Sequence, residues 1–167
     1  PLMIFQDFLK RPIDLKTPPR KVVSLVPSQT ELIADLGLED QLVGMTKFCV
    51  HPKHLRKSKN IVGGTKQVHF DKIGALEPDI IFCNKEENTK HMVDELQKIA
   101  PVHVSEVKTL DDNIRLIHDY GKILQAQLQA NRMVTDLKTQ NKSFKSFIKN
   151  KPLRRVAYLI WRDPWMA

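Results

Sequence analysis

The stretch Lys21-Val22-Val23-Ser24-Leu25-Val26-Pro27-Ser28-Gln29-Thr30-Glu31-Leu32 contains the signals that decide the fold. Residues 22–26 are a short, β-branched run closed by a proline, which predicts a buried strand. Ser28 and Glu31 have the spacing of an N-terminal capping box, so a helix is expected to follow at once and to end at Gly37. A strand that passes directly into a helix is typical of a β-α-β unit.

The same alternation continues outward along the chain. Further strands are predicted at 42–46, 79–83 and 102–104, helices at 71–76, 89–100 and 109–124, and a long loop at 47–70. This order predicts an α/β fold, with a Rossmann-like lobe built on a mainly parallel sheet. We assign residues 21–125 to this lobe and residues 1–20 to an N-terminal extension.

A long helix is expected after the lobe. Residues 127–150 contain no Pro or Gly and keep apolar residues at helical spacing. At about 1.5 Å per residue, this helix is roughly 30–35 Å long, enough to span a small domain. Residues 155–161 then predict a new strand. We therefore expect 126–151 to link two lobes, and 152–167 to begin a second α/β lobe that is truncated here.

The composition excludes several classes of protein. The 167 residues are 41% hydrophobic and 28% charged, which is typical of globular proteins. No apolar run reaches the ~18 residues that a membrane-spanning helix needs, and the first residues lack a signal-peptide pattern. The net charge of +8 is spread along the chain without interleaved aromatic residues. Nucleic-acid binding, which would depend strongly on salt, is therefore only a minor hypothesis.

The sequence contains few candidates for catalysis. Phosphate-binding and hydrolase motifs are absent, and no nucleophile has both a base and an orienting group. Cys49 and His51 are the nearest pair, because residues two apart in an extended segment share a side and can share a metal. We nevertheless predict no enzyme activity, no metal site and no resident cofactor. Cys49 and Cys83 are expected to be buried thiols, with a disulfide as the alternative.

Ligand-binding residues are expected in the loops after the strands, because ligands of parallel α/β sheets bind beyond the carboxyl ends of the strands. Aromatic side chains with a few polar groups suit a large, partly apolar ligand. Asn88, in the same set of loops, is either a helix N-cap or a ligand contact. The candidates are Ser28, Phe48, Cys49, His51, Thr65, Lys66, Asn84 and Lys85, joined by Trp161 and Arg162 if the strand of the second lobe runs the same way.

Several segments, in order, resemble the cobalamin and iron-siderophore substrate-binding proteins of ABC importers, whose two lobes are joined by one long helix. The strand and helix at 21–32 are the first of these segments. The others are Leu36-Gly37-Leu38 with Val43-Gly44, Val62-Gly63-Gly64, and Ile73-Gly74-Ala75-Leu76-Glu77-Pro78-Asp79-Ile80-Ile81. The resemblance covers nearly the whole chain and is specific for the family, not for the ligand.

The resemblance implies a non-catalytic receptor that binds a corrinoid, or another metal chelate such as an iron-siderophore or haem, between two lobes. It implies delivery of the ligand to the ABC transporter permease, in the periplasm or at the outer face of the cytoplasmic membrane. A chelate carrier or sensor in the cytoplasm is the alternative. Asp71 falls where the family has its permease-docking carboxylate, and a helix N-cap or a first-turn dipole partner also explains that residue.

The resemblance also implies roles in the pocket. Phe48 falls where cobalamin binders place an aromatic ring against the corrin. Thr65 falls where a Trp often stands, so that contact is absent here. Lys66 and Lys85 would face an anionic ligand, such as the propionates of haem or an acidic siderophore.

Overall fold

A computed structural model describes residues 3–166, apart from the side chain of Trp161. Seven strands precede the long helix. They are β1 (Met3–Gln6), β2 (Pro12–Leu15), β3 (Val22–Ser24), β4 (Leu42–Met45), β5 (Asn60–Ile61), β6 (Ile80–Asn84) and β7 (Val102–Ser105). The first two form an antiparallel hairpin, and the other five form one parallel sheet.

The order of strands in the parallel sheet is β5-β4-β3-β6-β7. The chain moves from β3 to one side through β4 and β5, and then crosses to the other side of β3 for β6 and β7. The direction of the connections therefore reverses between β3 and β6, where sheets of this kind have a crevice at their carboxyl edge. The predicted Rossmann-like α/β lobe is confirmed.

Among residues 3–166, six α-helices and one 3-10 helix, Glu39–Gln41, connect and follow these strands. The α-helices are α1 (Pro27–Asp35), α2 (Leu55–Ser58), α3 (Phe70–Ala75), α4 (Lys90–Leu96), α5 (Leu110–Ile123) and α6 (Gln127–Ile148). The predicted loop at 47–70 thus contains α2 and β5. The long helix follows the prediction closely, ending at Ile148 where the pattern extended to residue 150.

Alternate residues of the central strands pack on opposite faces of the sheet. Ile81 and Cys83 join an apolar cluster with residues of α4, including Leu96. Phe82 points the other way, and its ring lies 4.1 Å from that of Tyr120 in α5, centroid to centroid. A strand buried on both faces explains why the β6 segment is a continuous apolar run instead of an alternating one.

The predicted capping box at Ser28 is wrong. Helix α1 begins two residues earlier than a capping box at Ser28 requires, with Pro27 in its first turn and Val26 as an N-cap without a side-chain hydrogen bond. Proline is favoured at the first helical position because its φ angle is already helical, so Ser28 lies inside the helix. The capping box in this lobe is at α5, where Thr109 and Asp112 bond to each other's backbone N–H groups.

The predicted strand at 155–161 is also wrong. Residues 152–160 have no regular structure, and Val156 is 85% exposed. Two short strands follow, β8 (Trp161–Arg162) and β9 (Trp165–Met166), which pair only with each other. A β-branched apolar run becomes a strand only when another strand supplies hydrogen bonds and apolar cover. Among the described residues, only Ile160 and Trp161, at the end of this segment, have a backbone partner, which lies in β9, and residues 155–160 are exposed.

The N-terminal segment is attached to the lobe by hydrogen bonds around the buried carboxylate of Asp7. Asp7 is fully buried, and its carboxylate accepts hydrogen bonds from the Arg11 guanidinium at 2.7 Å and from the Val104 backbone at 3.2 Å. The Arg115 guanidinium, from α5, donates to the Asp7 carbonyl. The β1–β2 hairpin is therefore fastened to the edge strand β7, because a buried carboxylate is stable only when it is paired.

The described residues form two compact units, one ending at Val134 and the other beginning at Thr135. The proposed division at 125/126 and 151/152, and the assignment of 152–167 to a second lobe, stay predictions. None of the described helices is both long enough and apolar enough to span a bilayer.

We predict that His103 makes this lobe sensitive to acid. Its ring is fully buried among Phe8, Phe82 and Tyr120, and burial lowers its pKa from 6.5 to about 4, against the opposing charge of Asp7. The unfolded chain therefore binds more protons than the folded one between these values. The free energy of unfolding should fall by about 3 kcal/mol as the pH drops from 6.5 to 4.

Urea unfolding at several pH values tests this prediction. His103→Leu should remove most of the loss between pH 6.5 and 4, whereas His91→Leu, at an exposed position, should retain it. An equal acid-induced loss in both variants would show that other groups cause it.

Candidate functional site

A cleft of about 640 Å³ opens at the carboxyl edge of the parallel sheet. Val26 and Pro27, which follow β3, and Asn84, the last residue of β6, line it. The cleft therefore lies where the strand order reverses. That is the expected place for a ligand in a sheet of this topology.

Four of the predicted site residues line this cleft, namely Ser28, Phe48, Thr65 and Asn84. Phe48 is the aromatic residue among these four, and 51% of its surface is accessible. The Lys47 ammonium lies 5.2 Å from the centroid of its ring. A half-exposed aromatic ring at the edge of a concave site offers a flat surface on which a planar or apolar ligand can stack.

The other lining residues were not among the predicted set. Glu86 and Glu87 line the cleft from the loop after β6. Their position just after a buried strand is the sequence feature that could have identified them as site residues. Asn113 and Leu116 come from α5. Only the three-dimensional packing brings that helix to the cleft, so no local motif could have identified them.

A buried hydrogen-bond network lies beneath the cleft. Gln29 lines the cleft but is 98% buried; its amide nitrogen donates to the Ser105 hydroxyl at 2.5 Å. Its amide oxygen accepts a hydrogen bond of 2.7 Å from the hydroxyl of Tyr120. The Asn84 amide donates to the same serine, which donates in turn to the Cys83 carbonyl. These bonds link α1, β6, β7 and α5 immediately below the ligand surface.

Two asparagines hold the loops around the cleft. The side-chain oxygen of Asn84 accepts hydrogen bonds from the backbone of Glu86 and Glu87, which orders the loop that carries both carboxylates. The side chain of Asn88 is buried and donates to the Thr65 carbonyl at 2.8 Å. Asn88 is therefore neither an N-cap nor exposed to a ligand, and Thr89 caps α4 instead.

Lys66 and Lys85 do not line the cleft. The Lys66 ammonium donates to the Glu86 carbonyl, and the Lys85 ammonium pairs with Glu106 at 2.9 Å. Hydrogen bonds from Lys108 and Lys85 lower the pKa of Glu106. The two lysines thus lie on the flanks of the cleft and bond to the protein itself.

Cys49 and His51, which the sequence offered as the nearest candidate pair, do not share a site. The backbone turns at this point, with the Cys49 N–H bonded to the Thr46 carbonyl, so the alternation of an extended strand does not apply. The Cys49 thiol is buried against the hydroxyls of Thr30 and Thr46, whereas His51 is exposed. Neither residue lines the cleft.

Both cysteines are free and buried, as the sequence predicted, and they form no disulfide. Burial raises the pKa of the Cys83 thiol to about 12, which keeps it protonated and unreactive at neutral pH. Within residues 3–166, no group of three or more His, Cys, Asp or Glu side chains is arranged to hold a metal ion.

The remaining predicted residues lie outside the cleft. Asp71 is exposed in the first turn of α3, where His69 is the N-cap. Asp71 is therefore not the N-cap, and its position agrees with a first-turn partner of the helix dipole. Its docking role stays a prediction. Arg162 is exposed in β8, in the second unit. The side chain of Trp161 lies outside the described residues. Roles for Arg162 and Trp161 at the site stay predictions.

The sequence model of the family described as "Periplasmic binding protein" matches residues 22–165, which is most of the chain. This chain belongs to the periplasmic binding protein family. The match starts at β3 and includes the whole parallel sheet and the helix α6, so the cleft lies entirely within the part of the chain that the family shares.

Relatives within this family are distant. An uncharacterized ABC transporter substrate-binding lipoprotein of Bacillus subtilis, YvrC, is 27% identical over 141 residues, covering 81% of this chain and 44% of its own length. A vitamin B12-binding protein of Pectobacterium atrosepticum is 28% identical over 123 residues, covering 73% of this chain and 44% of its own length. The chain thus spans less than half the length of these relatives.

Solved structures agree on the fold. The vitamin B12 binding protein BtuF of Vibrio cholerae superposes with a TM-score of 0.79 at 21% identity, covering 89% of this chain and 58% of its own. A periplasmic haem binding protein from Pseudomonas aeruginosa gives a TM-score of 0.72 at 25% identity, over 80% of this chain and 50% of its own. The predicted resemblance is therefore confirmed at the level of family and fold.

We predict that the network beneath the cleft stabilises the lobe. Tyr120→Phe removes the hydroxyl that bonds to Gln29 and leaves a buried amide oxygen without its partner. The free energy of unfolding should fall by about 1–3 kcal/mol, as measured by urea denaturation. Tyr158→Phe is the matched control, because Tyr158 is 80% exposed and should change stability by less than about 0.5 kcal/mol. Equal stabilities of the two variants would contradict this role for Tyr120.

Proposed function

We propose that this chain is the first lobe of a non-catalytic substrate-binding component of an ABC-type importer. Its cleft would form one wall of a site for a corrinoid or another metal chelate, with a second lobe forming the other wall. The chain spans about half the length of the relatives it matches. The second wall of the site is therefore proposed and not observed.

The observation that carries the proposal is the position of Phe48. Its half-exposed ring stands at the crevice where the strand order reverses, beside the polar groups of Ser28, Thr65 and Asn84. A large ligand with an apolar face and polar edges suits such a surface, because the ring gains from stacking and the edges from hydrogen bonds. The names of the relatives, an ABC transporter substrate-binding lipoprotein and vitamin B12-binding proteins, support the same reading.

The charges of the cleft favour a corrinoid among the candidate ligands. Within residues 3–166, the charged side chains that line the cleft are the carboxylates of Glu86 and Glu87. Carboxylates accept hydrogen bonds, so they suit the amide groups at the edge of a corrinoid better than the propionates of haem. Lys66 and Lys85, which were expected to face an anionic ligand, do not line this cleft.

A place in the periplasm, or at the outer face of the cytoplasmic membrane, follows from this role. The relatives include a lipoprotein of an ABC transporter, and the family is described as periplasmic. An intracellular carrier or sensor is therefore the less favoured alternative. The metal, cobalt or iron, would belong to the ligand and would not be a resident cofactor of the protein.

The experiment is a titration of the complete protein with hydroxocobalamin, haem and a ferric siderophore, followed by visible absorbance. We expect saturable binding of hydroxocobalamin in the micromolar range or tighter. Phe48→Ala should weaken that binding about tenfold, since a lost stacking surface is worth on the order of 1.4 kcal/mol. Ile4→Ala, an exposed apolar residue of the β1–β2 hairpin that does not line the cleft, is the control.

Each result has a clear meaning. Binding of haem or the siderophore alone would replace the corrinoid with that ligand class and retain the receptor. Binding of none of the three would refute the metal-chelate function. A Phe48→Ala variant that binds as tightly as the Ile4→Ala control would remove Phe48 from the site.

We also propose that Asp71 docks on the permease. It is exposed in the first turn of α3, which begins after the loop that contains Thr65. An exposed carboxylate of this kind can pair with a cationic group on a partner and steer the two surfaces together.

Asp71→Ala should leave ligand affinity unchanged but reduce transport severalfold, measured as uptake by vesicles that contain the permease. Asp111→Ala, an exposed carboxylate in the first turn of α5, should transport normally. Normal uptake by the Asp71 variant would contradict the docking role.

A further inference from the structure

A second cavity lies next to the cleft and shares Phe48 and Thr65 with it. It has a volume of about 580 Å³ and is lined by three lysines, Lys47, Lys66 and Lys72, together with His69. No carboxylate is among the described residues that line it. We call it the basic cavity. Its charge is opposite to that of the cleft, whose charged lining residues are Glu86 and Glu87.

The lysines of the basic cavity are not neutralised by the protein. Within residues 3–166, none of the three forms an ion pair with a carboxylate. The Lys47 ammonium stands over the ring of Phe48, and the Lys66 ammonium donates to a backbone carbonyl, that of Glu86. Like charges around one concavity repel each other, and a bound anion would relieve that repulsion.

The loop that forms the wall of the basic cavity has a defined backbone. Gly63 has a φ angle of +125°, and a Cβ atom there would lie 2.7 Å from the Gln67 carbonyl oxygen. The Gly64 N–H bonds to that same carbonyl at 2.7 Å. A residue with a side chain would be strained at Gly63, so glycine permits this turn, and the hydrogen bond stabilises the concave surface without a ligand. A preformed site binds more tightly because less order has to be created on binding.

We propose that the basic cavity binds an oxyanion, a phosphate or a carboxylate, that forms one arm of the transported ligand. The inference rests on the proposed function, since the same ligand would lie against Phe48 in the cleft. Phe48 then separates a wall of carboxylates from a wall of ammonium groups. The ligand class is a chelate with an apolar centre, hydrogen-bond donors at one edge and a negatively charged arm at the other.

The first experiment measures the anion without the chelate. Pyrophosphate and citrate, as a phosphate and a carboxylate probe, are titrated into the complete protein at low salt, following the amide resonances of Gly63 and Gly64 by NMR. We expect saturable shifts at millimolar concentration or below with one or both probes. The stronger of the two identifies the arm as a phosphate or a carboxylate.

Three variants with the same change of charge test the site. Lys47→Gln and Lys72→Gln should each weaken binding of the probe about fivefold, because an ammonium within a few ångströms of an anion contributes on the order of 1 kcal/mol at an exposed position. Lys57→Gln, an exposed lysine of α2 that does not line the basic cavity, should bind as the parent does. Equal weakening by all three, or no saturable shift with either probe, would overturn the inference.

The inference and the proposed function fail in different ways. The chelate titration is repeated with cobinamide, which lacks the phosphodiester arm of cobalamin. Chelate binding that is indifferent to Lys47→Gln and to the missing arm would overturn the anion site and keep the receptor. Binding of the anion probe without binding of any chelate would keep the anion site and refute the chelate receptor.

Discussion

The side chain of Gln29 is held in the interior by Tyr120, Ser105 and the carbonyl of Cys83, and the position of the cleft depends on these bonds. Each partner belongs to a different element, so one amide joins α1 to β6, β7 and α5. An unpaired amide in a buried, low-dielectric setting raises the free energy of the folded state, so the network is stable only when the Gln29 amide keeps its partners. The walls of the cleft are therefore placed by a polar network and not by apolar packing alone.

The need to pair buried polar groups also explains which polar residues of the lobe are buried and which line the cleft. Two side chains that the sequence offered as ligand contacts, Cys49 and Asn88, are buried and form hydrogen bonds within the protein. Few polar residues line the cleft and the basic cavity, and the negative and positive charges lie on different sides of Phe48. Carboxylates stand on the side of β6, and lysines stand beyond Phe48. Such sorting gives a binding surface specificity for the charge pattern of its ligand.

Much of the fold could be predicted because its signals are local. Parallel strands buried on both faces are continuous apolar runs, and helices between them repeat at the helical period, so the α/β order and the long helix were found. The capping box at Ser28 failed because the helix starts at Pro27, with Val26 as its N-cap, two residues before the predicted cap. The strand at 155–161 failed because strand formation needs a partner, and among the described residues only Ile160 and Trp161 at its end have one.

By itself the sequence determined the class of the lobe, the carboxyl edge as the place of the site, and Ser28, Phe48, Thr65 and Asn84 as lining residues. Those inferences need only the period of a strand and the rule that ligands lie beyond strand ends. The tertiary structure alone decided that Cys49 bonds to the hydroxyls of Thr30 and Thr46, that Asn113 from α5 reaches the cleft, and that Lys47 and Lys72 share one cavity. These facts depend on contacts between residues distant in the chain, which packing creates and local pattern does not record.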